Sequence, residues 1–353
     1  MISNNNFGDI VSPIHLSTIF AQKSPGKHSG FEYGRIGNPT REGLEKELAK
    51  LEKGKFALAF SSGTAAAATL LASLSAGDHI LCSQDAYEGT FRLLVKVFKK
   101  FNVSFDFIDL SNIDRLGKSI KPTTKLIWFE SLTNPLLRVI NTQEVVKIAK
   151  KSKVLVLVDN TFATPIFRNP LLEGADVVLH SLTKFIGGHH DVTAGALVCN
   201  DQQLFENLNF LQHTIGATPS PFDCFLVSRG IKSLSVRMQQ HKKNAETVAH
   251  FLKSCDKVEN VTFPGFSGLI SFWVKGTQRE TTRLLERLKH IKITQSLGGP
   301  DTTVQHPRSM MTFSMSSKEL NKIGITSNLV RMSVGLEESG VIIKDIKQAL
   351  NLK

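Results

Sequence analysis

The chain of 353 residues is long enough for a large buried core and for more than one domain. Its 41% hydrophobic and 21% charged content is that of a globular protein and excludes a disordered or fibrous chain. The net charge of +12 comes from lysines scattered through amphipathic stretches such as KELAKLEKGK and VVKIAKKSK, which reads as a solvated basic surface, not a nucleic-acid patch.

The first residues, MISNNNFGDIVSPIHLST, lack a basic start followed by an apolar run, so no secretory signal is read there. The longest apolar runs, such as VLVLV at 154–158, are strand-sized and too short to span a bilayer. A cytoplasmic protein with no membrane partner is expected. Cys82, Cys199, Cys224 and Cys255 are widely separated, form no CxxC pair, and read as buried, reduced thiols.

In chain order, residues 1–45 have little periodicity and several Pro and Gly residues, and read as an extended arm. Within 46–230, short apolar runs alternate with helical patterns. HILCS (79–83), VSFDFIDL (103–110), KLIWFES (125–131), VLVLVD (154–159), VVLHS (177–181) and GALVC (195–199) read as buried strands. GTAAAATLLASL, GTFRLLVKVFKK and NTQEVVKIAKKS between them carry apolar residues at helical spacing. The alternation predicts an α/β domain with a mostly parallel sheet, whose ligands bind beyond the carboxyl ends of the strands. Near residue 220 the pattern changes to a long helix, from about Ser235 to Lys253, then the strand-like VENVTF and GLISFWVKG. A helix at about 278–289, a Gly- and Thr-rich loop and a helix near 341–352 follow, so 231–353 reads as a smaller α+β domain.

Three blocks in the first domain carry chemistry. In AFSSGTAAAATLL (59–71) a strand ends and Ser62-Gly63-Thr64 opens a helix, which reads either as an anion site of free amides or as a plain cap. In VDNTFATP (158–165), Asp159 ends a very apolar strand, as an N-cap, a loop former or a partner for a protonated ring nitrogen. In VVLHSLTKFIGGHHDVTAGALV (177–198), Ser181, Thr183 and Lys184 share one tight loop after a strand. Two hydroxyls and a lysine there suit a phosphate and a Schiff base at one site, and a desolvated lysine has the lowered pKa a nucleophile needs. A lone loop lysine would be ornamental, but the three blocks in this order argue otherwise.

With these blocks on the page, the chain resembles the Cys/Met-metabolism family of pyridoxal-phosphate (PLP) enzymes over nearly its whole length. EYGRIGNPT, SSGTAA, DAYEGT, ESLTNP, VDNTFATP, HSLTKFIGGH, SLGG, HPRSM and LVRMSVGLE occur in family order. The resemblance implies the PLP-dependent transferase fold (fold type I, aspartate-aminotransferase-like). It implies Lys184 as the cofactor lysine, Asp159 on the pyridine nitrogen, Asn134 on the ring hydroxyl and Tyr87 stacked on the ring. Ser62, Gly63 and Thr64 with Ser181 and Thr183 would hold the phosphate, and Glu130 would lie close behind the ring. Tyr33 and Arg35 of the arm would reach the phosphate of a neighbouring subunit, in a homo-oligomer expected to be a tetramer built as a dimer of dimers. Arg331 would clamp the substrate carboxylate with Ser296 and Asn134, and Lys184 and Tyr87 would move protons.

Three of these assignments have independent support. The chain has 23 Phe but two Tyr, and those two are Tyr33 and Tyr87. Arg331 lies in the apolar run LVRMSV, where a planar guanidinium can grip a carboxylate with two parallel hydrogen bonds. His189-His190-Asp191 has no further ligand at metal spacing, so no metal is expected, and His79, His180 and His306 read as structural.

The resemblance implies γ-elimination of cystathionine to cysteine, 2-oxobutyrate and ammonia. The alternatives are γ-replacement, as in cystathionine γ-synthase or an O-acylhomoserine sulfhydrylase, then methionine γ-lyase or cystathionine β-lyase chemistry. Gly89 stands where methionine γ-lyases often carry Cys. Gln295 departs from the Glu of cystathionine-cleaving relatives, which puts the preference for cystathionine in question. A basic nucleic-acid binder is the reading from a different class.

Overall fold

The computed structural model describes residues 8–110, 112–311 and 316–351. Residues 1–7 of the expected arm and position 352 of the expected last helix lie outside them. Asn38 ends the arm: its side chain accepts the amides of Thr40 and Arg41, and Pro39 opens helix α1 (Pro39–Leu51). The arm is therefore shorter than the 45 residues read from the sequence.

Strand β1 (Phe56–Phe60) leads into α2 (Gly63–Leu71), β2 (His79–Ser83) and α3 (Glu88–Arg92). The segment read as one helix after Gly89 instead widens to a π turn at Leu93–Val97, tightens to a 3-10 turn at Phe98–Phe101, and buries Leu93, Leu94 and Phe98. Then follow β3 (Ser104–Ile108), the short α4 (Leu116–Ser119), β4 (Thr124–Glu130), α5 (Thr142–Lys151) and β5 (Leu155–Asp159). The domain closes with α6 (Thr164–Phe167), β6 (Val177–Ser181), β7 (Gly195–Cys199) and α7 (Gln202–Ile215).

The seven strands form one sheet in the order β1-β7-β6-β5-β4-β2-β3. Neighbours from β6 to β3 run parallel, and β7 alone is antiparallel to both of its neighbours. Buried clusters lie on both faces, around Leu44, Val178 and Phe185 on one and around Phe60, Trp128 and Leu197 on the other. This is why β5 and β6 read as unbroken apolar runs.

Helix α8 (Pro221–Lys253) starts at the Ser220 cap, well before the expected Ser235. It runs without a break through residues 230 and 231, so the boundary placed there falls inside a helix. The smaller unit contains β8 (Val258–Thr262), β9 (Leu269–Val274), α9 (Gln278–Arg287), β10 (Lys292–Ile293) and β11 (Thr303–Gln305). After α10 (Pro307–Met310) and α11 (Ser317–Ile323) come β12 (Leu329–Ser333) and α12 (Ser339–Ala349). Its sheet has the order β10-β11-β12-β9-β8, mostly antiparallel, and packs on the second half of α8 around Val248, Phe272 and Ile346. Among the described residues no helix is long and apolar enough to cross a membrane, and all four cysteines are buried and unpaired.

Candidate active site

β1 is antiparallel to β7 and β7 to β6, so β1 points the same way as β2, β4, β5 and β6. The carboxyl ends of these strands deliver Gly63, Tyr87, Glu130, Asp159 and Ser181 to one cavity of about 300 Å³. Arg331, Ser296 and Gln295 line it from the smaller domain.

At the first wall, Ser62 caps α2 by accepting the amide of Ala65 at 3.0 Å, which leaves the Gly63 and Thr64 amides without helical partners. A Cβ on Gly63 would lie 3.0 Å from Ser181 Cβ, and one on Gly195 would lie 2.3 Å from the Ser62 carbonyl. Both glycines are needed for this turn to seat against the ends of β6 and β7. Ser181 faces the cavity. The Thr183 hydroxyl donates to the Ala194 carbonyl at 3.2 Å and accepts its amide at 3.0 Å. It borders the cavity with its hydrogen committed, so acting as a phosphate donor requires that bond to open.

At the opposite wall, Glu130 and Asp159 pair directly across β4 and β5. Burial raises the Asp159 carboxyl, while hydrogen bonds from Thr161 and the nearby His180 and Lys184 draw it back. Burial and then the charge of Asp159 push Glu130 well above the usual carboxylate range. The Lys184 cation favours the ionised form of Asp159, whereas Glu130 has the Asp159 charge set against its own. Glu130 accepts the Tyr87 amide at 2.5 Å and the Asn134 amide at 2.9 Å, so it holds two other lining residues in place. Tyr87 caps the start of α3 half in solvent, and burial followed by Glu88 raises its phenol.

Between these walls Lys184 Nζ donates to Ser296 Oγ at 2.6 Å. Burial and the Arg331 guanidinium bring its amine down to about 8, against the pull of Asp159. Arg331 projects from the second sheet. Its Nη1 donates to Asn134 Oδ1 at 2.8 Å and its Nη2 to the Ser296 carbonyl at 2.9 Å, while the buried Nε has no partner among the described residues. Burial lowers its pKa to about 10, so it remains a cation at neutral pH. Ser296 has a φ of 78°, a left-handed conformation that is costly for a serine. Gln295 sits exposed at the rim and donates to the Met310 carbonyl at 2.9 Å.

Tyr33 and Arg35 do not line this cavity. The Arg35 guanidinium lies 5.4 Å over the Tyr33 ring and donates to the His213 carbonyl. His189 turns back on the Gly187 carbonyl at 2.8 Å, and among the described residues no three or more metal-ligating side chains cluster.

Sequence reasoning missed the support beneath Lys184. Arg237 of α8 is buried and donates to the carbonyls of Phe185 at 2.7 Å and Ile186 at 3.2 Å, the two residues after the lysine. Gly298, with φ 87°, backs onto the same stretch, where a Cβ would lie 2.7 Å from the Phe185 nitrogen. The SLGG motif was legible, whereas nothing in the spacing of Arg237 among the other helical arginines marks it out.

Pyridoxal phosphate carries a phosphate, an aldehyde and a basic ring nitrogen. The free amides of α2, the lowered amine of Lys184 and the buried Asp159 line one cavity and suit those three groups. Fold and site together define a PLP-dependent enzyme. The Cys/Met metabolism PLP-dependent enzyme family matches residues 2–351, and the chain belongs to that family. A putative cystathionine γ-lyase 2 of Caenorhabditis elegans is 42% identical over 98% of this chain and 93% of its own. A cystathionine γ-synthase of Mycobacterium leprae is 44% identical over 98% of this chain and 92% of its own. The crystal structure of a cystathionine γ-synthase from Xanthomonas oryzae pv. oryzae, in complex with aminoacrylate and cysteine, superposes with a TM-score of 0.95 at 34% identity. That match covers 99% of this chain and 94% of that one.

Proposed function

We propose that this chain catalyses the γ-elimination of cystathionine, with one water, to cysteine, 2-oxobutyrate and ammonia. The observation that carries the reading is a base beside a carboxylate clamp. Lys184 Nζ lies 2.6 Å from Ser296 Oγ, and the carbonyl of that same serine is held by Arg331. Bound PLP supplies an electron sink for the charge left when an α-proton departs. In this reading Lys184 carries the cofactor, Asp159 bonds its ring nitrogen and the Asn134 amide its ring hydroxyl. Ser62, Gly63, Thr64 and Ser181 take the phosphate, Tyr87 stacks on the ring and Glu130 braces Tyr87 and Asn134.

Arg331 binds the α-carboxylate of the substrate, assisted by Ser296 and Asn134, and so fixes which bond faces Lys184. The Lys184 amine, neutral for an appreciable fraction of the time near pH 7, takes the α-proton and returns protons during the later steps. The raised phenol of Tyr87 is a proton donor, which favours protonating the departing sulfur over accepting a proton from the substrate amine. Gly89 argues against methionine cleavage through a cysteine at that position. A Cβ there would lie 2.3 Å from the Tyr87 ring, so a larger side chain displaces the ring.

The second reading is γ-replacement on an O-acyl homoserine, and Gln295 favours it. An uncharged amide at the rim attracts the distal ammonium of cystathionine less than a carboxylate would. Purified enzyme should be assayed with cystathionine, homocysteine, methionine and an O-acyl homoserine plus cysteine. 2-Oxobutyrate with thiol from cystathionine supports elimination, and cystathionine made from the acyl ester and cysteine supports replacement.

The reading includes at least a dimer, with a tetramer expected. On the arm, Ile10 is 92% exposed and Ile19 74%. Tyr33 and Arg35 on that arm would complete the phosphate site of a neighbour. Sedimentation of the wild type and of an arm-deleted variant tests this.

A further inference from the structure

On the opposite face of the large sheet lies a buried carboxylate that the chemistry above does not use. Glu52 follows α1 as its C-cap and is 1% exposed. One oxygen accepts from His180 Nε2 at 2.6 Å and Asn160 Nδ2 at 2.8 Å, and the other from Asn169 Nδ2 at 3.2 Å. The tight turn after Glu52 holds it there. Lys53 has a φ of 60°, and a Cβ on Gly54 would lie 2.6 Å from Val198 Cγ1. His180 alternates along β6 with Leu179 and Ser181, which line the cavity, so its ring faces the other way. Asn160 directly follows Asp159 and accepts the Ser131 hydroxyl at 2.8 Å, and Ser131 directly follows Glu130. One carboxylate thus ties together the ends of β4, β5 and β6, the three strands that present Glu130, Asp159 and Ser181.

We propose that Glu52 and His180 are positioning residues for the cofactor, setting from behind the sheet the aim of Asp159 and Ser181. A purely structural strut would not need these groups, because apolar side chains of similar volume hold strands together at least as well as a buried polar pair. The pair also acts on the site electrostatically: His180 is among the groups that draw the Asp159 carboxyl down.

The test is titration of the apoprotein with pyridoxal phosphate, followed by visible circular dichroism of the bound cofactor and by the melting temperature of the apoprotein. Glu52→Gln and His180→Gln keep near-isosteric polar groups, and each reads the proposal if the other does not fold. Both should weaken cofactor binding by about tenfold or more and change the visible dichroism. Asn169→Ala, which removes a bond to Glu52 without touching β5 or β6, should lower the melting temperature and leave cofactor affinity within about twofold. If Glu52→Gln and His180→Gln also bind within that margin with unchanged dichroism, or if Asn169→Ala weakens binding as much as they do, the pair is structural and the proposal fails. The inference rests on the assignment of Asp159 to the cofactor. Asp159→Asn in the same titration separates the two, because unchanged affinity there sinks the site assignment itself.

Discussion

Gly230 of α8 meets Gly187 of the loop after Lys184 backbone to backbone: a Cβ on Gly230 would lie 2.4 Å from the Gly187 carbonyl oxygen and 2.6 Å from that of Ile186. Neither obstacle is a side chain that can turn away. Gly230→Ala therefore moves either the helix or the lysine loop. Overpacking of this kind costs about 1–3 kcal/mol, offset in part by the roughly 1 kcal/mol that alanine contributes in a helix. The melting temperature should fall together with the fraction of enzyme that retains cofactor. Unchanged values for both would show that the loop has slack.

The same contact explains why the first half of α8 was hidden in the sequence. A glycine amid a helical pattern reads as a break, and its reason for being there is a carbonyl 43 residues away in the chain. The parallel strands were legible because burial on both faces leaves an unbroken apolar run, as in Val156-Leu157-Val158. Asp159 was legible because it ends such a run, and Lys184 because it shares the tight loop after β6 with Ser181 and Thr183. Glu52 and His180 were not legible as partners: they lie 128 residues apart, and each reads as an ordinary residue where it stands. The bound of 45 residues for the arm overshoots, since Asn38-Pro39 is a cap and first-turn signal that opens α1.

The lowered amine of Lys184 predicts how the apoprotein loads cofactor. The neutral amine is the nucleophile, and with a pKa of about 8 its fraction grows about tenfold per pH unit up to that point and then levels off. Stopped-flow loading rates from pH 6 to 9 should follow that curve, and Lys184→Ala should abolish both turnover and the absorbance of bound cofactor. A variant that kept turnover would overturn the mechanism.

Stability carries the same signature with its own sign. The amine titrates near 10.5 when unfolded and near 8 when folded. Below pH 8 both states hold the proton, and the folded apoprotein bears the full penalty of burying it. Between these values the folded state loses the proton first and the penalty fades, so this residue makes stability rise with pH across that window. Lys184→Met should stabilise the apoprotein at pH 7 by about 2–3 kcal/mol and by much less near pH 10.5. Urea unfolding at both pH values measures the difference.

Arg331 spends one N–H on Asn134 and one on the Ser296 carbonyl, and keeps the planar fork that can meet a carboxylate. Arg331→Lys preserves the charge but cannot serve these partners and a substrate together. kcat/KM should fall about 100-fold or more, mainly through KM, with little change in the absorbance of bound cofactor. A loss confined to kcat, with KM unchanged, would remove Arg331 from the substrate carboxylate.

Gly89 sets where the Tyr87 ring can lie. A Cβ at Gly89 would stand 2.3 Å from Cε1 and 3.0 Å from Cζ of that ring, so the smallest side chain forces it outward. The ring is 41% exposed and can swing into solvent, which makes Gly89→Ala a displacement of the phenol and not a packing defect in the core. The melting temperature should stay close to wild type while kcat/KM for cystathionine falls about 10- to 100-fold, the usual effect of moving a reacting group by an ångström. Tyr87→Phe provides the comparison, because it keeps the ring and removes only the proton donor. If Gly89→Ala is harmless while Tyr87→Phe is not, the phenol acts from a position other than the one it holds here. If both are harmless, Tyr87 has no part in releasing the sulfur, and the proton for the leaving thiolate has to come from Lys184.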